Sequence, residues 1–142
     1  MTSVHSVGVI VADIEAATAF FAELGLQVEG RAQIGGPSVD RAVGIDGVRC
    51  AVAMLRTPDG HSRLELAQYL APEATVAEPP AASTIGMHRV TFLVDDVDDT
   101  VARLRAHGAE LVGDIVNYGD SYRLCFVRGP DRIFVGLSHR LG

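Results

Sequence analysis

The stretch HSVGVIVADIEAATAFFAELG, residues 5–25, decides the fold because it recurs later in the chain as HRVTFLVDDVDDTVARLRAHG, residues 88–108. Aligned without a gap, residues 5–30 and 88–113 are identical at seven of 26 positions, and most other positions carry similar residue types. Self-similarity over this length indicates an internal repeat. The chain is therefore expected to contain two copies of one structural module.

Each copy predicts the same order of elements. An apolar, β-type run opens each copy at residues 4–11 and 87–94, and both runs are too short for a core helix. Asp13 and Asp96 follow as helix N-caps, and behind them apolar residues recur at helical spacing until a glycine ends the helix. Three extended runs separated by turn signals come next. Each copy is therefore predicted to be a βαβββ module.

The segment between the copies, residues 71–86, is rich in Pro, Ala and small polar residues and is predicted to be a linker. It separates module one, residues 3–70, from module two, residues 87–140, within a single domain spanning residues 1–142. With 142 residues and 48% hydrophobic residues, the chain is long enough to bury a core without disulfides or a structural metal.

Composition excludes several classes of function. A formal net charge of -6 argues against nucleic-acid and anionic-membrane partners, which favour clustered positive charge. The chain has no Lys, which excludes a lysine Schiff base and a phosphate loop of the Gly-Lys-Ser/Thr type. Neither a GxSxG nor a GxGxxG motif is present. No segment has the length of a membrane span or the pattern of a signal peptide, so a cytoplasmic location is expected.

The two cysteines and three of the histidines predict structural roles. Cys50 and Cys125 lie in apolar, strand-like contexts without CxxC spacing, and are expected to be buried, reduced thiols. His61 lies in a turn, His107 in the last turn of a helix and His139 near the chain end. These three histidines are expected to be solvent-exposed structural residues.

The chain resembles the vicinal oxygen chelate superfamily, which includes glyoxalases, methylmalonyl-CoA epimerases, extradiol dioxygenases, fosfomycin-modifying transferases and bleomycin-binding resistance proteins. The resemblance covers almost the whole chain. It rests on the strand-opening His, the Val-Asp-Asp helix start, the Leu-Gly helix end and the Pro-Asp-Gly turn before a Leu-Glu-Leu strand. It implies an α+β fold in which two tandem βαβββ modules form a curved, partly open eight-stranded barrel around a cavity.

The resemblance also implies a set of metal ligands, which relatives take from the first and last strand of each module. Carried over to this sequence, the positions are His5, Glu65 and His88. The fourth position falls on Gly136, which can neither bind a metal nor transfer a proton. Two imidazoles and a carboxylate suit a divalent Fe, Ni, Zn, Mn or Co ion and leave positions open for water or substrate.

Structural roles for the same residues remain open at this point. His5 is able to cap the mouth of the sheet, and Glu65 is able to pair with Arg63 or Arg89. His88 is then an unused remnant of the duplication. A cavity without metal that uses only some of these side chains is a further alternative.

A second polar stretch, NYGDSYRLCFVRGPD, adds weaker candidates. Tyr122 lies at the start of the penultimate strand, where its hydroxyl would donate to a bound oxyanion or take part in proton transfer. The alternative is an amphipathic strand residue with its tip in water. Arg41, Arg49 and Arg123 are candidates for holding a carboxylate or phosphate group of a ligand.

Two functions follow from the resemblance. The first is a small metal-dependent enzyme with lyase- or isomerase-type chemistry on a small oxygenated substrate, which is favoured over a dioxygenase. The alternative is a metal-free protein that binds a drug or metabolite, similar to bleomycin resistance proteins. A homodimer is expected in both cases, because many relatives pair across a two-fold axis.

Overall fold

The computed structural model describes residues 3–86 and 88–142, and these fall into two compact units that divide between Val76 and Ala77. The units correspond to the two sequence repeats and are called module one and module two below. The predicted start of the second repeat's first strand, Met87, lies outside the described residues.

Module one contains a four-stranded sheet and two helices. In chain order the elements are β1 (Val7–Ile10), α1 (Ile14–Glu23), β2 (Gln27–Gly35), α2 (Pro37–Val43), β3 (Arg49–Arg56) and β4 (Arg63–Ala71). The strand order is β1-β4-β3-β2, in which β1 and β4 are parallel and the other pairs are antiparallel. The short helix α2, which the repeat did not predict, begins at a proline and ends at a left-handed glycine, as such helices favour.

Module two contains a five-stranded sheet and one α-helix. The elements are β5 (Arg89–Leu93), α3 (Val97–Arg105), β6 (Glu110–Leu111), β7 (Val116–Tyr118), β8 (Tyr122–Arg128) and β9 (Phe134–Arg140). The strand order is β5-β9-β8-β6, with β7 also paired to β8, and β5 and β9 are parallel. A 3-10 turn, Pro130–Arg132, precedes the last strand.

The described residues therefore form nine strands, which differs from the eight predicted. The extra strand arises because residues 112–115 interrupt the extended segment of module two that corresponds to β2. The α+β class is confirmed. Each sheet is open and has edge strands at both ends, so the partly open barrel stays a prediction.

The predicted helix starts are confirmed. The carboxylate of Asp13 accepts hydrogen bonds from the backbone N–H groups of Glu15 and Ala16, at 3.0 and 3.1 Å. The carboxylate of Asp96 accepts one from the N–H of Asp99, at 3.1 Å. Each bond satisfies a backbone donor that has no partner inside its helix, which is why aspartate is favoured at this position.

The helices α1 and α3 each cover one face of their own sheet with apolar side chains. Phe20 and Phe21 of α1 and Leu66 of β4 are at most 1% exposed in module one. Leu104 of α3 and Leu137 of β9 are fully buried in module two. Burial of a side chain of this size stabilises the fold by about 1.5–3 kcal/mol. The opposite face of each sheet, away from its helix, is called the open face below.

Both cysteines are buried and free, as predicted. Burial raises the pKa of the Cys125 thiol to about 11, and the nearby charge of Asp98 acts in the same direction. A thiol with such a pKa stays protonated at neutral pH and is a weak nucleophile. Among the described residues, no helix is long and apolar enough to cross a membrane.

Candidate functional site

Glu65 lies near the middle of the open face of module one. Its strand neighbours Leu64 and Leu66 are buried, and alternation along the strand turns Glu65 to the other side. It stands in register with Gly8 on one side and Met54 on the other. The half-buried carboxylate makes no hydrogen bond or ion pair with any residue that the structure describes. A half-buried carboxylate without a partner is available to a ligand, and Glu65 therefore stays a candidate for the predicted site.

The arginines that the sequence offered as partners for Glu65 are engaged elsewhere. The Arg63 Nε donates to the carboxylate of Glu29, at 2.9 Å from Oε1 and 3.2 Å from Oε2. The guanidinium of Arg89 lies over the ring of Phe126 in its own module, with 5.1 Å from Cζ to the ring centroid. The structural alternative for Glu65 therefore loses its main support.

His88 immediately precedes β5 and has a defined ring orientation. Its Nδ1 lies 2.8 Å from the carbonyl oxygen of Gly86. A carbonyl only accepts, so Nδ1 carries the proton and Nε2 keeps its lone pair in the neutral ring. The ring also packs against Phe134, with 5.4 Å between centroids. A backbone carbonyl bound at the far ring nitrogen is the usual support of a metal-binding imidazole.

His5 is less well defined than His88. It is exposed, lies before β1, and has only a long contact of 3.4 Å between its Nδ1 and the Ser6 hydroxyl. Within residues 3–86 and 88–142, no three His, Cys, Asp or Glu side chains are grouped so that they could hold a metal ion. His5, Glu65 and His88 therefore stay a predicted ligand set.

Gly136 occupies the position in module two that Glu65 occupies in module one. The parallel pairs β1–β4 and β5–β9 place Gly8 beside Glu65 and Thr91 beside Gly136. A Cβ built at Gly136 would collide with the Thr91 hydroxyl and lie 3.0 Å from the Thr91 Cβ and Cγ2 atoms. A Cβ built at Gly8 would meet no atom within 4 Å. Thr91 thus fills the space that a side chain at position 136 would need.

The open face of module two carries a group of stacked side chains that the sequence did not predict. The Arg128 guanidinium lies over the Phe134 ring, with 4.1 Å from Cζ to the ring centroid. Arg89 makes the same kind of contact with Phe126. The two phenylalanine rings are 6.5 Å apart and nearly perpendicular. His88 completes this arginine–phenylalanine cluster. From the sequence, alternation within β5 and β8 predicts which of these residues share a face of the sheet. It does not predict their contacts, because these depend on the order of the strands.

Tyr122 lies on the same face as this cluster but at the other end of β8. Its register partner is Arg140, whereas Arg128, six residues along the strand, pairs with Phe134. Six strand residues span about 20 Å. Because His88 contacts Phe134, Tyr122 is far from the imidazole along the sheet. A catalytic role for Tyr122 stays a prediction that this spacing does not favour.

Arg123 is engaged in an ion pair. Its Nε and Nη2 donate to the two carboxylate oxygens of Asp98 at 2.7 and 2.9 Å, and its Nη1 donates to the Asn117 side chain. These hydrogen bonds lower the pKa of Asp98 and raise the pKa of Arg123. Arg41 lies in the last turn of α2 and Arg49 begins β3, and neither position indicates a ligand.

The prediction for His139 requires a correction. His61 and His107 are exposed, as expected, but His139 is half-buried and its Nδ1 accepts a hydrogen bond of 2.8 Å from the N–H of Val97, at the start of α3. Module one has the equivalent bond, in which Gln68 Oε1 accepts from the N–H of Ile14 at 3.0 Å. The difference arises because β9 brings His139 to a helix end that is distant in sequence.

Comparisons with known proteins agree with this architecture. A family model described as the glyoxalase/bleomycin resistance protein/dioxygenase superfamily matches residues 5–126. A glyoxalase family protein from Bacillus cereus is 42% identical, with a TM-score of 0.94 over 100% of this chain and 96% of that chain. No curated protein matches the sequence.

More distant solved structures share the fold. A glyoxalase family protein from Enterococcus faecalis is 18% identical, with a TM-score of 0.65 over 97% of this chain and 98% of that chain. The fosfomycin resistance protein FosX from Listeria monocytogenes is 14% identical, with a TM-score of 0.66 over 100% and 94%. The family match and the 42% identical relative confirm the resemblance drawn from the repeat. This chain belongs to the glyoxalase/bleomycin resistance protein/dioxygenase superfamily.

Proposed function

We propose that this protein is a small metal-dependent enzyme that acts on a small oxygenated substrate by lyase- or isomerase-type chemistry. The observation that carries the proposal is the unpartnered carboxylate of Glu65 on the open face of module one. Partial burial of a carboxylate without a partner costs free energy unless a cation or a ligand offsets that cost. The expected homodimer, the cytoplasmic location and a small-molecule partner belong to the same proposal.

The donor types of the three predicted ligands suit a divalent ion, although no three His, Cys, Asp or Glu side chains among the described residues are grouped to hold one. Glu65 offers an unpaired carboxylate, and the hydrogen bond to Gly86 leaves the Nε2 lone pair of His88 available. His5 is the third proposed ligand. Two imidazoles and a carboxylate suit Fe, Ni, Zn, Mn or Co. When bound, such an ion supplies Lewis-acid polarisation of a substrate oxygen.

The remaining residues restrict how protons move. Gly136 removes the carboxylate that relatives use at the equivalent position, and Thr91 fills the space beside it. A hydroxyl of ordinary basicity is a poor proton acceptor at neutral pH, so Thr91 does not replace that carboxylate. Proton transfer in the proposed reaction therefore uses a different group. Tyr122, the candidate from the sequence, lies about 20 Å along β8 from the end that packs beside His88, so its position does not favour this role.

A second function, a metal-free protein that binds a small molecule, is favoured by one observation. The packing of Thr91 against Gly136 closes the fourth ligand position with a side chain that is not a strong metal ligand. The stacked arginines and phenylalanines of module two would then form part of a ligand surface rather than part of a catalytic site. Metal content separates the two functions.

The experiment is elemental analysis of protein purified without a histidine tag, after exposure to Fe, Ni, Zn, Mn and Co and removal of excess metal. We expect near-stoichiometric bound metal in the wild type. Glu65→Gln removes a charged ligand, so this variant should retain at least about tenfold less metal after the excess is removed. Glu73→Gln is the matched control, since Glu73 is an exposed carboxylate in module one. No bound metal in the wild type, or equal metal in both variants, would refute the metal-dependent function.

A further inference from the structure

Arg89 is an exposed side chain of β5 with a fixed position and unused donors. Its guanidinium lies 5.1 Å above the centroid of Phe126, within the range of a cation–π interaction. Throughout the described part of the chain, no carboxylate pairs with this guanidinium and no acceptor is hydrogen-bonded to it. In an acidic protein, such an unpaired arginine is a local positive charge that attracts anions.

Arg128 is a second stacked arginine of this module, and its guanidinium has a structural role. Arg128 stacks on Phe134 in the same way, but its Nη1 donates to the Arg132 carbonyl at 2.8 Å and its Nη2 donates to the Pro80 carbonyl. These bonds hold chain segments together. Of the two stacked guanidinium groups, that of Arg89 is the one whose donors are left for a ligand.

The shape of the guanidinium determines which ligand Arg89 fits. The group lies over Phe126, is planar and carries its N–H donors as a fork in its own plane. This planar fork matches the two oxygens of a carboxylate and forms two parallel hydrogen bonds with it. Because the aromatic contact already restricts the side chain, binding loses less rotamer entropy than it would at a free surface arginine.

The surroundings supply a second donor and an apolar surface. Thr91 lies on the same face of β5 as Arg89, and alternate strand residues are about 6.8 Å apart. Its hydroxyl sits over the backbone of Gly136, where no side chain covers it. Leu93, the next residue on this face, is 62% exposed and offers contact to an apolar group.

We propose that the open face of module two binds a carboxylate group of the small-molecule ligand, with Arg89 as the bidentate donor and Thr91 as the second donor. The inference rests on the proposed function in one respect, since it takes this ligand to be the substrate. It assigns the substrate class as a small organic acid with an apolar or aromatic body, and it identifies Arg89 as a specificity-determining residue.

The test is a titration of ¹⁵N-labelled, chelator-treated protein with benzoate, benzamide and inorganic phosphate, followed by amide chemical shifts. Benzamide has the shape of benzoate without its charge, and phosphate is an anion that is not planar. We expect benzoate to shift the signals of Arg89, Thr91 and Gly136 in a saturable manner. Benzamide should bind at least about tenfold more weakly, because hydrogen bonds to charged groups carry most of the affinity.

Three variants make the result specific. Arg89→Gln should weaken benzoate binding by about tenfold or more, and Arg89→Lys should also weaken it because lysine keeps the charge but lacks the fork. Arg105→Gln, an exposed arginine in the last turn of α3, makes the same charge change away from the open face and should bind benzoate as the wild type does. The spectra themselves report whether each variant is folded.

Several outcomes would overturn the assignment. These are the absence of saturable benzoate shifts, equal binding of benzamide, tighter binding of phosphate than of benzoate, or unchanged affinity in Arg89→Gln. The titration uses metal-free protein, and Arg89→Gln should retain the metal content of the wild type. A failure of carboxylate binding is therefore distinguishable from a failure of the proposed metal-dependent function.

Discussion

Replacing Gly136 with alanine tests whether the open face of module two is closed at the fourth ligand position. The added Cβ would lie 3.0 Å from the Cβ and Cγ2 atoms of Thr91, a separation that real Cβ atoms rarely reach. The two residues are register partners on adjacent parallel strands, so the contact between the two Cβ atoms persists in every rotamer of Thr91. We expect Gly136→Ala to destabilise the protein.

The magnitude follows from two opposing terms. Overpacking of this kind costs about 1–3 kcal/mol. Replacing glycine with alanine where the backbone allows it stabilises by about 0.4–1 kcal/mol, because the unfolded chain loses conformational freedom. Gly136 does not adopt a positive φ, so the second term applies. The net cost should be about 0–2.6 kcal/mol, with a central value of about 1.3 kcal/mol.

A double-mutant cycle with Thr91→Gly isolates the contact. Thr91→Gly alone should cost about 1 kcal/mol, since threonine favours strands and glycine does not. In that background the alanine at position 136 has room, and the substitution should be neutral or stabilising. The coupling free energy should then be about 1–3 kcal/mol, within the range found for contacting residues. Urea unfolding followed by far-ultraviolet circular dichroism gives all four free energies.

Gly8→Ala in module one is the matched control. A Cβ at this position meets no atom within 4 Å, so we expect the free energy of unfolding to stay constant or rise slightly. If Gly136→Ala were as stable as the wild type, or equally costly with and without the Thr91 side chain, the steric account of this position would be wrong.

The start of α3 gives two further predictions. His139→Gln keeps an acceptor for the helix, as Gln68 does in module one, and should change stability by less than about 0.5 kcal/mol, whereas His139→Ala should cost about 1 kcal/mol; equal thermal stabilities would contradict the capping role. Because Arg123 lowers the folded-state pKa of Asp98 below its ordinary value of 3.8, this carboxylate stabilises the fold at neutral pH, and the effect is lost as the pH falls through the folded-state value. The stability difference between wild type and Asp98→Asn should therefore shrink between pH 7 and pH 3 in urea unfolding, and a constant difference would contradict it.

Local sequence signals predicted most of the fold, because they act over a few residues. The N-caps Asp13 and Asp96 and the strand runs of both repeats follow from spacing alone. The helix α2 was missed because it has only seven residues and is fixed by the Asp40 carboxylate, which accepts from the N–H groups of Gly47 and Val48 at 2.9 and 2.8 Å. Those bonds join residues seven and eight positions apart, which no helical or strand period reports.

The site was less predictable because its contacts depend on strand order. The direction of Glu65 depends on register, which the sequence left open and the flanking buried leucines determine. The stacking of Arg89 on Phe126 requires β9 to lie between β5 and β8, and β8 is distant in sequence from β5. The hydrogen bond from the N–H of Val97 to His139 likewise requires β9 to lie beside the start of α3. Tertiary contacts of this kind have no local pattern.

The two modules differ in the space between their parallel first and last strands, and this asymmetry has a functional consequence. In module one Glu65 lies beside Gly8, where even an added Cβ would meet no atom within 4 Å, whereas in module two Thr91 fills the space that a side chain at Gly136 would need. A carboxylate at position 136 therefore requires a second change at position 91, so the acidic position cannot return by one substitution. The same strand carries Arg89, so module two presents donors where module one presents an acceptor.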